Sequence, residues 1–459
     1  MQRLVSSMHT CRTLQRLRVV LVAIVVISAP LAVAQPGQAP PVPGEGSASA
    51  GSGSSQVPSQ GSAAPTNDGV APPPGQGSAQ PIGDGSAHPT PTAGSGSGEA
   101  PAATPTVKVT GYIEAFYQYN FNRPSNLVTA YRGFDDRSNS FTIANAVLDV
   151  TGTLGNVSTR LALQVGHTPA AYYGAEPSYP AEGGVGASNN LLWQLIQQAI
   201  VGYKIGDLQT EAGIFLSPIG VENIAIKDQW NWSRSNLFYA LPFYHSGVRL
   251  TYPLTSELTG VLMVTNGWND IVNRNPYPCV AGILSYAPSS SLSGQLLYFG
   301  GVEPPTGAPE GQPWRNLFDF TATWNATDEL SLAFQADVGF EPNNFGTSYW
   351  YDGAAYARVR ASRQLYLAGR ADYFHEHDSQ NARGAASRLF FPADDVASGT
   401  ATADYRPADN VSVRLEYRYD HATAPMFYRG TVAADAMTGL GIPTAGSQQT
   451  LTLGATTWF

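Results

Sequence analysis

The feature that most restricts this chain is the rhythm of its connections. From residue 107 onward, segments of two-residue periodicity are joined alternately by tight turns and by long loops. The first segment sets the pattern. Between Val107 and Phe121, Val107, Val109, Ile113, Ala115, Tyr117, Tyr119 and Phe121 alternate with Lys108, Thr110, Glu114, Gln118 and Asn120. Successive side chains of a strand point to opposite faces, so this spacing predicts a strand with one apolar and one polar face.

Sixteen such segments can be read: 107–121, 141–153, 156–168, 191–205, 208–216, 246–254, 257–266, 278–288, 291–302, 315–325, 328–340, 349–360, 363–376, 396–406, 409–421 and 447–459. Alternation is clean in 409–421, where Val411, Val413, Leu415, Tyr417 and Tyr419 oppose Ser412, Arg414, Glu416, Arg418 and Asp420. It is weaker in 141–153 and 278–288. Pairs such as Leu154-Gly155, Gly206-Asp207, Ser289-Ser290 and Pro407-Ala408 form the short turns. The long connections are 122–140, 169–190, 217–245, 267–277, 303–314, 341–348, 377–395 and 422–446. A soluble sandwich gives no reason for such alternation. A barrel in a bilayer does, because one end carries short periplasmic turns and the other long external loops. The expected fold is therefore all-β: a transmembrane antiparallel β-barrel of about 16 strands.

Aromatic residues on the apolar face fit two bilayer interfaces. Tyr117, Tyr119, Phe340, Tyr373, Tyr417 and Tyr419 gather toward the long loops, and Tyr203, Tyr252, Tyr286, Trp324, Tyr405 and Phe459 toward the short turns.

Residues 1–34 read as a signal peptide. Arg3, Arg12, Arg16 and Arg18 precede an apolar run from Val19 to Ile27, and Ala32-Val33-Ala34 supplies a cleavage pattern. Taking those four from 25 basic residues leaves 21 against 34 acids, a net charge of −13. That balance excludes nucleic acid as a partner, since its phosphates demand clustered Lys and Arg. Residues 35–106, rich in Gly, Ser, Ala and Pro, lack the apolar surface to offset ordering entropy and are expected as a disordered linker. With Cys11 in the signal peptide, Cys279 remains alone, so no intrachain disulfide can form.

Four segments carry a family resemblance: Gly111–Tyr119, Ala212–Glu222, Leu241–Arg249 and Val264–Asp270. With them, residues 107–459 resemble the bacterial outer-membrane porins, most closely the putative β-barrel porin-2 family. The resemblance implies passive diffusion of small hydrophilic solutes or ions, no enzymatic activity and no cofactor. It also implies a homotrimer, and a third long loop, 217–245, folded into the lumen. Glu222, Lys227, Asp228 and Arg234 become the constriction candidates. The expected partners are outer-membrane lipid, lipopolysaccharide, the solutes, and the barrel-assembly machinery, which would receive a terminal strand ending in Phe459.

The polar faces of the strands nominate the lumen lining: Glu114, Arg249, Asp337, Asp352, Arg358, Arg360, Arg370, Asp372, Arg414, Glu416 and Arg418. Acids and arginines interleave there, and the chain holds only Lys108, Lys204 and Lys227, so weak cation preference or little preference is expected. A substrate-specific channel would instead show an aromatic or basic track. A structural or adhesive barrel would be plugged by its loops. An outer-membrane hydrolase would need a Ser beside a His on the outer face; His167 and His245 have no evident companion. His375 and His377 share a strand face at the rim, but no third ligand completes a metal site.

Overall fold

The computed structural model describes residues 104–176, 190–379, 388–437 and 439–459. The expected signal peptide and all but residues 104–106 of the expected linker lie outside the described residues.

Sixteen strands form: β1 (Thr106–Asn120), β2 (Ser140–Leu154), β3 (Val157–Val165), β4 (Ile196–Ile205), β5 (Leu208–Leu216), β6 (Tyr244–Pro253), β7 (Leu258–Thr265) and β8 (Cys279–Ser289) make the first half. β9 (Leu292–Val302), β10 (Trp314–Asn325), β11 (Leu330–Asn343), β12 (Gly346–Arg360), β13 (Leu365–His377), β14 (Asp395–Ala408), β15 (Val411–Ala422) and β16 (Ser447–Trp458) make the second. Each pairs antiparallel with its sequence neighbours, and β1 pairs with β16, closing the sheet. Closure leaves no edge, which hydrocarbon requires because it offers backbone groups no partner. The seam runs from Tyr112↔Trp458 to Asn120↔Thr450. Gly111 and Phe459 finish it, each amide donating to the other's carbonyl, at 3.2 and 3.0 Å.

The two-residue period became the two faces of the wall. Leu148, Leu161, Leu296, Val338, Leu415 and Leu453 point outward and keep 45–59% of their surface exposed. In water this belt would be an aggregation hazard; in a bilayer it is the lipid contact. The two groups of aromatics border it on the same outer face.

Three expectations need correction. The segment 156–168 stops at Val165, because Gly166 turns the chain at φ 141 and His167–Tyr172 then forms a helix, α1. Pro169 lies in its first turn, where its missing N–H costs no hydrogen bond. The segment 191–205 starts only at Ile196, since Asn190–Trp193 is helical (α2). The connection 341–348, expected as long, is a tight hairpin: Asn343 pairs with Gly346, and Asn343 Oδ1 accepts the Phe345 amide at 2.9 Å. Asn, Phe and Gly there read as loop because the strand has already left the apolar belt and needs no alternation.

The inner face is not uniformly polar either. Toward the long-loop end Phe299, Trp350 and Phe374 point inward and pack with Trp268, Phe391, Met426 and Phe427 from the loops. Polar and charged side chains dominate the middle of the barrel and the short-turn end.

Candidate functional site

Residues 217–243, between β5 and β6, enter the barrel and carry two helical turns, a 3-10 turn at Ile226–Asp228 and α3 (Asn236–Tyr239), the latter capped by Ser235, which accepts the Phe238 amide. A loop in the lumen must find partners for its backbone groups, and the wall supplies them as charges. Glu114 on β1 accepts the Ile226 amide at 2.5 Å. Glu416 on β15 accepts the amides of Trp232 at 2.5 Å and Ser233 at 2.9 Å. Asp372 on β13 accepts the Asn236 amide at 3.0 Å and its side-chain Nδ2 at 2.7 Å.

Arginines take the carbonyls. Arg370 donates to Ser233 O at 2.6 Å and Arg234 O at 3.1 Å. Arg414 donates to Asn231 O at 3.1 Å, and Arg418 to Arg234 O and to Asn236 Oδ1. Gln335 accepts the Val221 amide at 3.0 Å, and Gln295 donates to Pro218 O at 2.9 Å. Amides meet carboxylates and carbonyls meet guanidiniums, so the interleaved wall charges act as a cradle for the loop. Each charge-assisted bond contributes roughly 1.5–3 kcal/mol.

The four constriction candidates separate into two pairs. Glu222 is buried, held by Arg370 at 2.7 Å and by the Ser235 amide at 2.8 Å. Arg234 is buried as well, donating to the carbonyls of Asn223, Ile224 and Trp232 with its guanidinium 5.0 Å from the Phe134 ring. Burial lowers its proton affinity, against the carboxylates of Glu114, Asp135 and Glu222. These two hold the loop's shape. Lys227 and Asp228 pair at 2.8 Å and stay in contact with solvent, their side chains 28% and 46% exposed.

The nominated wall residues all lie on the inner face. Besides those already placed, Asp337 and Asp352 stand directly opposite one another on β11 and β12, and Asp337 accepts Gln335 Nε2 at 2.8 Å. Arg249 pairs with Glu211 at 2.7 Å. Arg360 sits at the short-turn rim, 3.8 Å from Glu329. Sequence reasoning passed over Trp232, Arg132 and Arg406. Arg132, in the loop between β1 and β2, reaches inward to Asp135 at 3.4 Å and Asp420 at 3.3 Å. Arg406 continues the inward series of Thr400, Thr402 and Asp404, so period two already marked it.

At the short-turn end, Arg358, Arg406 and Arg414 come together around Tyr366, Trp230 and Asp404. The Arg358 guanidinium lies 5.0 Å from the Trp230 ring and 5.5 Å from Tyr366, and Arg406 lies 4.9 Å from Tyr366. Beside them a small recess is lined by Val221, Glu222, Asp228, Trp230, Thr323 and Tyr356 among others.

Glu376 points inward to the amides of Leu389, Phe390 and Phe391, away from the faces of His375 and His377, whose rings stack on Tyr351 and Tyr349. A serine does meet a histidine: Ser217 Oγ is 3.2 Å from His245 Nε2. His245 is fully buried and its Nδ1 faces the Gly267 carbonyl, so the pair lacks both a carboxylate orienter and access from the outer face.

The family model described as putative β-barrel porin-2, OmpL-like, matches residues 106–459. No curated protein matches the chain. Among solved structures, the anion-selective porin from Comamonas acidovorans superposes with a TM-score of 0.53 at 9% identity, covering 78% of this chain and 100% of that one. The outer membrane channel DcaP of Acinetobacter baumannii gives 0.50 at 12% identity, covering 77% and 97%. Identities this low speak to the fold.

Proposed function

This chain belongs to the putative β-barrel porin-2, OmpL-like family, and from that premise we propose that it is a diffusion porin whose third long loop sets the passage. As an outer-membrane porin it is a channel through the bacterial outer membrane. The solutes are small and hydrophilic, and they move down their gradients without chemical change. Outer-membrane lipid surrounds the belt, and lipopolysaccharide meets the long-loop rim.

The observation that carries the reading is the binding of residues 217–236 by wall charges from β1 round to β15. A loop held on so many sides narrows the lumen permanently instead of flapping. Lys227 and Asp228, at its solvent-facing stretch, are then the charges a passing ion meets.

The test is single-channel conductance of the refolded protein in a planar bilayer, with the reversal potential in a KCl gradient. Lys227→Glu is expected to move the reversal potential toward cations, and Asp228→Lys toward anions. Discrete steps with unchanged selectivity in both variants would remove the loop from its proposed role. Absence of conductance from a folded barrel would favour the plugged structural reading.

A further inference from the structure

We propose that one corner of the long-loop rim, where β1 and β2 meet the last long loop, docks lipopolysaccharide from the outer leaflet. Arg123 and Arg429 take a phosphate of its lipid headgroup, and the aromatic residues beneath them take its acyl chains. This surface lies outside the barrel and is independent of what the lumen passes.

Arg123 lies just beyond β1, its amide bound to Asn120 O at 3.0 Å and its backbone left-handed at φ 48. Residues other than glycine rarely hold that conformation, and it persists where the surroundings fix it. Here the guanidinium returns to the outer face, where Nε donates to the Tyr119 hydroxyl at 3.0 Å. Tyr119 belongs to the outer aromatic girdle and stands opposite Leu451 across the seam. Such girdles sit at headgroup level, so Arg123 is held at the depth of the phosphates. With Nε taken by the tyrosine, the two Nη groups remain for an oxyanion, which a guanidinium meets with parallel N–H bonds.

The last long loop brings Arg429 alongside. The Gly430 amide donates to Asn122 O at 2.9 Å, and Gly430 O accepts the Ser125 amide at 2.8 Å, so Arg429 is joined to the stretch that carries Arg123. Both arginines are exposed, and neither forms an ion pair among the described residues. Arg137, opposite Val128 in the first long loop, adds a cation 54% exposed and only loosely held, 3.8 Å from Asp136. Asp136 itself is turned to His167. On the other long loops and strand ends the arginines are answered: Arg274 by Asp270, Arg315 by Glu341, and Arg388 by Asp378 and Asp394. Positive charge in excess of carboxylate is therefore gathered at this corner, where an anionic leaflet surface attracts it.

Below the arginines the outer face is apolar. Phe121 and Ile143 are exposed, and Phe141 keeps 87% of its surface open. The Phe141 and Tyr117 rings lie 4.9 Å apart, and Phe121 meets Tyr119 edge-on at 5.2 Å. The Tyr117 hydroxyl donates to Asn139 Oδ1 at 2.6 Å, which ties the rings to the first long loop. Leu127 in that loop is also left-handed, at φ 58, and exposed. Guanidiniums above and rings below reproduce the order of phosphate and acyl chain in a phosphorylated glycolipid. A soluble partner would have no use for the half that faces hydrocarbon.

The experiment titrates diphosphoryl lipid A, and separately its dephosphorylated form, into the refolded full-length protein in non-ionic detergent by calorimetry. Saturable binding of the diphosphoryl form is expected, with the dephosphorylated form about tenfold weaker or more. Arg123→Gln combined with Arg429→Gln should weaken diphosphoryl binding about tenfold or more, the contribution of two cations beside an anionic headgroup. Arg363→Gln removes an exposed cation from the short-turn rim and should leave binding unchanged. Heat-modifiability on gels checks that each variant has folded. No saturable binding, equal binding of the two lipids, or equal weakening by Arg363→Gln would overturn the docking surface. Light scattering on the double variant gives the second readout. A changed oligomeric state with lipid binding intact would assign the corner to a second copy of this chain and overturn the lipid as its occupant.

Discussion

Trp232 occupies the space that a side chain at position 454 would need: a Cβ built on Gly454 would come within 2.2 Å of the indole. The ring of Phe116 lies 5.8 Å away on β1, next to β16 in the sheet. The loop is thus keyed to the wall by an absent side chain as well as by charges. Gly454→Val is expected to push Trp232 out while leaving the strand intact, since φ at 454 is not in the positive range. The readout is single-channel conductance, which should change in size or become noisy. A Gly454→Val channel identical to wild type would show that the key does not matter.

Arg370 is a second anchor, with a different cost. Its fully buried guanidinium contacts Glu222 at 2.7 Å and Asp372 at 3.1 Å, besides two loop carbonyls. Arg370→Ala would strand two buried carboxylates, which typically costs about 3–5 kcal/mol. Heat-modifiability on gels should fall, and protease should cut between residues 217 and 243. Doubling the change as Arg370→Met with Glu222→Gln should recover part of the loss, because fewer charges are then left unpaired.

Asp270, in the loop after β7, makes a prediction about pH. Burial pushes its carboxyl from 3.8 up to about 7, with Arg274 opposing and Glu303 reinforcing. An acid whose folded value is raised binds its proton more tightly when the loop is packed. The packed loop is therefore favoured below about pH 4, and that contribution is lost as pH rises through about 7. Protection of the Ile271 and Val272 amides, which are bound by Glu176, should fall over that window once exchange rates are corrected for their intrinsic base-catalysed rise. Asp270→Asn should flatten the dependence; an unchanged profile in that variant would assign it to another group.

Leu453 tests the belt. It is half exposed on the outer face of β16, opposite Tyr117 on β1 and Leu415 on β15. Leu453→Arg should destabilise the barrel in lipid vesicles by about 2–4 kcal/mol, the cost of a cation at the bilayer midplane. Thr452→Ser, one residue away on the inner face, should change stability by under about 1 kcal/mol. Equal effects at the two positions would mean the two faces had been misassigned.

The sixteen strands were legible because a strand reports its two faces locally, one residue at a time. Even the weakly alternating 141–153 and 278–288 became β2 and β8. Reading failed where that local signal stops. The hairpin at Asn344-Phe345 lies beyond the belt, and α1 and α2 occupy chain that neither lipid nor lumen obliges to alternate. The nominated arginines and acids were equally visible as inward; Arg406 was passed over, although the same period marks it.

Their partners were not visible. Glu416 is 183 residues from the Ser233 amide it holds, and Arg370 is 148 from Glu222. By itself the sequence determined that this chain closes into a barrel, how many strands it uses and which side chains face water. Those follow from period two and from a bilayer that leaves no backbone group unpaired. Only the tertiary structure decided that the loop between β5 and β6 takes Glu114, Asp372 and Glu416 of the wall as acceptors for its amides. A charge acts on whatever closure brings near it, and strand periodicity carries no record of that distance.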